Sequence, residues 1–185
     1  MNEGGGRAAV LFDRDGTLNV GPPPTTFVTR LEEFIPIPGA IEAVAKLCRA
    51  GWRVAMCTNQ SCIGQGIVSR EMVDRINREC ARLLELHGGS FDGIYVCPHR
   101  PDENCPCRKP RPGMLLDAAR DHGYDLLRSY FVGDSLRDLQ AGNAAGATPL
   151  LVMTGADERA RAEQPPDRVF TDVPEAVDWI LRRRT

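Results

Sequence analysis

Six short apolar runs recur along the chain: AAVLF (8–12), RVAMC (53–57), GIYV (93–96), YFV (130–132), PLLVM (149–153) and RVF (168–170). Helical patterns alternate with them near 39–50, 69–87, 112–122, 135–145 and 174–183. In the second of these, Met72, Ile76, Cys80 and Leu83 recur at helical spacing and mark one apolar face. Gly51 after Ala50 suits a helix stop, and Pro174 before Glu175 suits a helix start. Strands that alternate with helices cannot pair as hairpins. They predict an α/β fold: a Rossmann-like parallel sheet with helices on both faces and right-handed crossovers. At 185 residues the chain suits one domain, spanning 1–185. The Pro-rich stretch from Gly21 to Pro38 reads as a loop or small hairpin beside the site.

In such sheets ligands bind beyond the carboxyl ends of the strands. The first run ends at Asp13, with Asp15 and Gly16 close behind. The second is followed by Thr58-Asn59-Gln60, the third by Cys97-Pro98-His99 and the fourth by Gly133-Asp134. Taken alone, Asp13 and Asp15 could belong to a turn or a helix cap. Asp134, with Asp138 four residues on, alters that balance. Like charges ~4 Å apart cost about 4 kcal/mol at an effective dielectric of about 20. A divalent cation relieves this, and oxygen-only ligands point to Mg²⁺. A carboxylate beside Mg²⁺ can attack phosphorus, provided that positive charge offsets the phosphate. Lys109 is the candidate, since Lys46 and Lys109 are the only lysines among 23 Lys plus Arg. A compact ammonium suits a point-charge role. The Thr58 hydroxyl and the backbone around Asn59 can hold phosphate oxygens.

Seven cysteines occur. Cys48, Cys57, Cys62 and Cys80 read as small buried hydrophobes. Cys97, His99, Cys105 and Cys107 crowd into CPHRPDENCPC and make a tetrahedral Zn²⁺ set with no position left for water, so a structural site. Zinc would fix the loop and aim Arg108 at substrate and Lys109 at phosphate. A net charge of −2 argues against a nucleic-acid partner, and no apolar stretch is long enough to span a bilayer. The opening MNEGGGR lacks the apolar core of a secretory signal. The expected setting is cytoplasmic, where cysteines stay reduced, and the expected state is a monomer.

FDRDGTLN (12–19), TNQS (58–61), CPHRPDENCPCRKPRPGM (97–114) and GDSLRDLQAG (133–142), in that order, resemble the motifs of the haloacid dehalogenase (HAD) superfamily of phosphohydrolases. Within it the chain is most similar to the D-glycero-D-manno-heptose 1,7-bisphosphate phosphatases, with histidinol-phosphate phosphatases as near relatives. The resemblance implies a HAD-type sheet and a two-step reaction. Asp13 attacks the phosphoryl group to form an aspartyl-phosphate. Asp15 protonates the leaving alcohol and then activates water. The Asp13 carboxylate, the Asp15 backbone carbonyl and Asp134 hold Mg²⁺, while Thr58 and Lys109 stabilise the phosphoryl group. Asn59, Gln60, Ser61, Arg108 and Ser135 are the expected substrate contacts, on a small phosphorylated sugar or similar metabolite. The span between Asp15 and Thr58 is short and much of it is helix and strand, so no inserted cap domain is expected. Rival readings are a histidinol-phosphate phosphatase, a non-catalytic zinc-stapled binding domain, and a redox or zinc-storage module. The last explains none of the strand-end carboxylates.

Overall fold

Strand β1 (Ala9–Phe12) lies buried on both faces near the middle of a six-stranded sheet, in a computed structural model that describes residues 6–22, 26–155, 157–163, 165 and 168–183. The other strands are β2 (Arg53–Asn59), β3 (Gly93–Cys97), β4 (Tyr130–Gly133), β5 (Thr148–Val152) and β6 (Val169–Phe170), in the order β3-β2-β1-β4-β5-β6. Every pairing is parallel. Connecting strands are crossed by α1 (Ala40–Arg49), α2 (Arg70–Leu86), α3 (Gly113–His122), α4 (Leu136–Ala145), α5 (Glu158–Glu163) and α6 (Val173–Arg182).

The alternation of side chains along β1 explains the layers. Val10 and Phe12 point into the core shared with α1, α2 and α6. Ala9 and Leu11 point the other way, against Met114, Leu115 and Ala118 of α3 and Ala141 of α4. A parallel strand covered on both faces must be apolar throughout. Each fully buried large side chain contributes about 1.5–3 kcal/mol. Helices α2 and α6 start at side-chain caps: Ser69 Oγ accepts from Met72 N–H at 3.2 Å, and Asp172 Oδ1 from Glu175 N–H at 3.0 Å.

Three details differ from the sequence reading. β2 runs on to Asn59, because Thr58 and Asn59 still pair with Val96 and Cys97. The buried stripe of α2 is Val73, Ile76, Asn77, Cys80 and Leu84, with Met72 and Leu83 only partly buried at its flanks. A polar Asn inside that stripe hides its centre from a hydrophobicity count. The short α5 was not expected, since ERARAE buries only Ala160. The segment after Gly21 folds back as expected beside the site. Val20 N–H donates to Ile35 O at 2.8 Å, and Asn19 bridges Pro36 antiparallel. Residues 23–25 of that loop lie outside the described residues. No described helix is long and apolar enough to cross a membrane.

Candidate active site

The strand order reverses between β1 and β4, which opens a crevice beyond their carboxyl ends. Asp13 leaves β1 there, and its N–H still donates to Val132 O of β4 at 2.9 Å. Lys109 Nζ, almost fully buried, lies 2.7 Å from Asp13 Oδ1 and 2.6 Å from Asp138 Oδ1. Carboxylate oxygens of Asp13, Asp134 and Asp138 all lie within 4.8 Å of one another. Asp138 is held by Ser135, whose N–H and Oγ reach its Oδ2 at 3.1 and 2.5 Å. This closes a capping box at the start of α4.

Three carboxylates thus crowd beside one ammonium, which pairs with Asp13 and Asp138. Burial pushes Asp13 up to about 6, against the pull of Lys109. Burial, then the Asp138 and Asp13 charges, push Asp134 up to about 8. Burial alone would lower Lys109, but Asp13 and Asp138 outweigh it and hold the ammonium above its ordinary value. The negative charge left over, displayed on oxygen atoms only, is what a hard divalent cation would neutralise. Backbone packs closely around this group. Gly16, at φ +83°, and Gly155 both approach Asp134 so nearly that a Cβ on either would overlap its Oδ2. Thr154 Oγ1 donates to Gly16 O at 2.5 Å and ties the turn after β5 to the turn after β1.

Asp15 stands to one side. Arg14 grips it at both oxygens, Nε to Oδ1 and Nη2 to Oδ2, each at 3.0 Å. Gln60 Nε2 donates to Asp15 Oδ2 at 2.9 Å and to Thr58 Oγ1 at 2.8 Å. Asn59 pairs with the backbone of Lys109 in both directions, each bond 3.1 Å long, and so sets where the lysine leaves its loop.

Asp13, Asp15, Thr58, Asn59, Ser61, Arg108, Lys109, Asp134 and Ser135 all line one cleft of about 400 Å³. Gln60, expected as a substrate contact, is the exception. It is 1% exposed, and its amide hydrogens are spent on Asp15 and Thr58, so it ties those two together instead. Sequence reasoning counted Asp138 among the converging carboxylates but missed its pairing with Lys109. It also missed Arg14, which lies between two more conspicuous acids, and Arg137 and Phe27 in the cleft wall. A larger hollow, about 630 Å³, opens at the opposite end of the sheet around Arg7, Trp52, Arg53 and Arg128; among the described residues no carboxylate lines it.

The loop after β3 gathers its four candidate ligands. Cys97 Sγ lies 3.7 Å from His99 Nδ1 and 3.6 Å from Cys105 Sγ. Cys107 Sγ lies 3.3 Å from His99 Nδ1 and 3.4 Å from Cys105 Sγ. Ligands ~2.0–2.3 Å from a tetrahedral zinc stand roughly 3.5–3.8 Å apart, so the set fits that ion. It does not fit a disulfide, whose sulfurs are ~2.05 Å apart, and the cysteines are free. Arg111 Nη1 donates to Cys105 O at 2.9 Å and Arg108 Nη1 to His99 O at 3.4 Å, binding the loop to the segment that carries Lys109.

Residues 106–176 match the HAD-hydrolase-like family model. The chain is 38% identical over 178 residues to the D-glycero-β-D-manno-heptose-1,7-bisphosphate 7-phosphatase of Pseudomonas aeruginosa, covering 95% of this chain and 99% of that protein. It is 42% identical over 176 residues to the enzyme of the same name from Bordetella bronchiseptica, covering 94% and 97%. The crystal structure of D,D-heptose 1,7-bisphosphate phosphatase from B. bronchiseptica, complexed with magnesium and phosphate, superposes with a TM-score of 0.87 at 39% identity, over 95% of this chain and 98% of that one. The corresponding phosphatase of Burkholderia thailandensis gives a TM-score of 0.71 at 32% identity, over 95% and 99%.

Proposed function

This chain belongs to the HAD-like family of D-glycero-β-D-manno-heptose-1,7-bisphosphate 7-phosphatases, and on that premise we propose that it removes the 7-phosphate of D-glycero-D-manno-heptose 1,7-bisphosphate through an aspartyl-phosphate. The observation that carries the chemistry is the group of Asp13, Asp134 and Asp138 at the strand ends, two of which, Asp13 and Asp138, pair with one buried ammonium. Mg²⁺, held by Asp13, Asp134 and the Asp15 carbonyl, would offset the charge of the phosphate and the attacking carboxylate.

The residues divide the work. Asp13 attacks phosphorus; its new O–P bond forms as the bond to the leaving alcohol breaks. Asp15 gives its proton to that alcohol oxygen. In the second step the Asp15 carboxylate takes a proton from water. The water oxygen bonds to phosphorus, the Asp13–phosphorus bond breaks, and inorganic phosphate leaves. Lys109 stays charged throughout, since two carboxylates hold it so, and neutralises the transferring group as a point charge. Thr58 donates to a phosphoryl oxygen. Arg108, Ser61, Asn59 and Ser135 line the cleft where the rest of the substrate lies, and the Arg108 fork suits a second phosphate. Cys97, His99, Cys105 and Cys107 would hold Zn²⁺, which would rigidify the loop that delivers Arg108 and Lys109.

The test is phosphate release with Mg²⁺ from the heptose bisphosphate and from histidinol phosphate. The heptose substrate should be turned over with a kcat/KM at least about a hundredfold higher, a second phosphate contact being sufficient for that margin. A preference for histidinol phosphate would overturn the substrate, and release from neither would overturn the activity.

A further inference from the structure

Arg14 is the largest fully buried side chain, at 0% exposure, and it lies between the two acids of the site. A guanidinium is expensive to bury unless its donors are satisfied. Here each of its three nitrogens donates to one of two partners. Nε and Nη2 hold the two oxygens of Asp15 at 3.0 Å, and Nη1 donates to Asn77 Oδ1 at 2.7 Å. Asn77 is 3% exposed and interrupts the apolar stripe of α2. Its Nδ2 has no hydrogen-bond partner, so the amide is retained for its oxygen, which faces Arg14.

Resting on the reading of Asp15 as proton carrier, we propose that Asn77 and Arg14 form a buried positioning relay, which locks Asp15 from helix α2 and leaves its Oδ1 as the oxygen that exchanges the proton. The assignment of the oxygen follows from counting lone pairs. A carboxylate oxygen offers two. Oδ2 accepts from both Arg14 and Gln60 and is full; Oδ1 accepts from Arg14 alone and keeps one. The fork geometry also matters, since a lysine could not grip both oxygens. Arg14 and Asn77 touch no substrate in this scheme. They act through Asp15 by preventing rotation of a carboxylate whose proton must meet the leaving oxygen.

The relay makes a prediction that a merely structural role does not. kcat/KM covers the steps up to release of the leaving group. A sugar alkoxide needs the proton at that stage, whereas nitrophenolate leaves without it. Parent, Asp15→Asn, Arg14→Gln and Asn77→Leu proteins are therefore compared on the heptose bisphosphate and on p-nitrophenyl phosphate, with melting temperatures recorded. Asp15→Asn and Arg14→Gln should lower kcat/KM for the sugar phosphate at least about tenfold more than for the aryl phosphate, with Asn77→Leu shifting the ratio the same way by less. If Asp15→Asn shifts the ratio but Arg14→Gln and Asn77→Leu lower both substrates alike, the relay is overturned. If Asp15→Asn lowers both alike, the proton-carrier reading fails instead. Should Arg14→Gln not fold, Asn77→Leu decides the matter, since it leaves the Arg14–Asp15 pair in place.

Discussion

As the proposed nucleophile, Asp13 must meet three physical demands: the carboxylate must be ionised, sheltered from bulk water, and close to a phosphate that repels it. Shelter alone would keep it protonated, and burial does push it up to about 6. Lys109, 2.7 Å away, opposes that shift, and at neutral pH the group is an anion ready to attack. Asp13→Asn removes the proposed nucleophile without removing the lysine's second partner, Asp138. Turnover should fall on the order of a thousandfold or more while circular dichroism and melting stay close to the parent. Turnover at the parent rate would mean that another group attacks phosphorus. Gly155 works through shape. A methyl there would overlap Asp134 Oδ2, so Gly155→Ala should displace that carboxylate. The Mg²⁺ concentration for half-maximal activity should rise about tenfold or more, since disturbing a group that orients a metal ligand typically costs about 10–100-fold in affinity. An unchanged magnesium requirement would show that Asp134 is not a ligand.

Among the elements, the connection between β3 and α3 does most to assemble the site. Apart from the candidate metal ligands, it has little apolar content with which to fold, and its ordered features include a 3-10 turn at Pro101–Glu103 and hydrogen bonds from Arg108 and Arg111. Cys97 is anchored as the last residue of β3, and Asn59, at the end of the neighbouring strand, receives Lys109. A metal that ties the four ligands would therefore fix the lysine relative to Asp13. Removal of zinc by a chelator in excess Mg²⁺ should abolish most activity and open the loop between residues 98 and 108 to proteolysis, with a verified metal assay alongside. A zinc-free protein that kept both its activity and its protease resistance would remove this role from the loop.

For the whole molecule, the crowded carboxylates couple stability to pH and to magnesium. Asp13 and Asp134 sit at about 6 and about 8 in the folded protein without metal, above their ordinary value of 3.8. The folded state thus binds more protons than the unfolded chain in that window. The stability this provides is complete below pH ~4 and is lost as pH rises through about 6 and then about 8. Mg²⁺ replaces those protons, so the rise in Tm that it produces should be small at about pH 5 and large at about pH 8.5. Thermal melts with and without Mg²⁺ at both values test this; an equal shift at both would show that the cation binds elsewhere.

Much of this architecture is written locally. A parallel strand buried on both faces must be an unbroken apolar run, so AAVLF and RVAMC announce β1 and β2, and residues just past such runs stand at one edge. The metal-ligand spacing of the cysteine loop is equally local. What the sequence by itself determined is therefore the layer type and the residues displayed at the strand ends. Only the tertiary structure decided the strand order that brings β1 beside β4, the ion pairs of Lys109 with Asp13 and Asp138, and the diversion of Gln60 from substrate to Asp15 and Thr58. It also decided that Asn77 lies inside an apolar stripe, where it meets Arg14 across 63 positions of chain. Periodicity records which face of a helix is buried, whereas the pairing of buried polar groups depends on elements remote in sequence that meet only when the core closes.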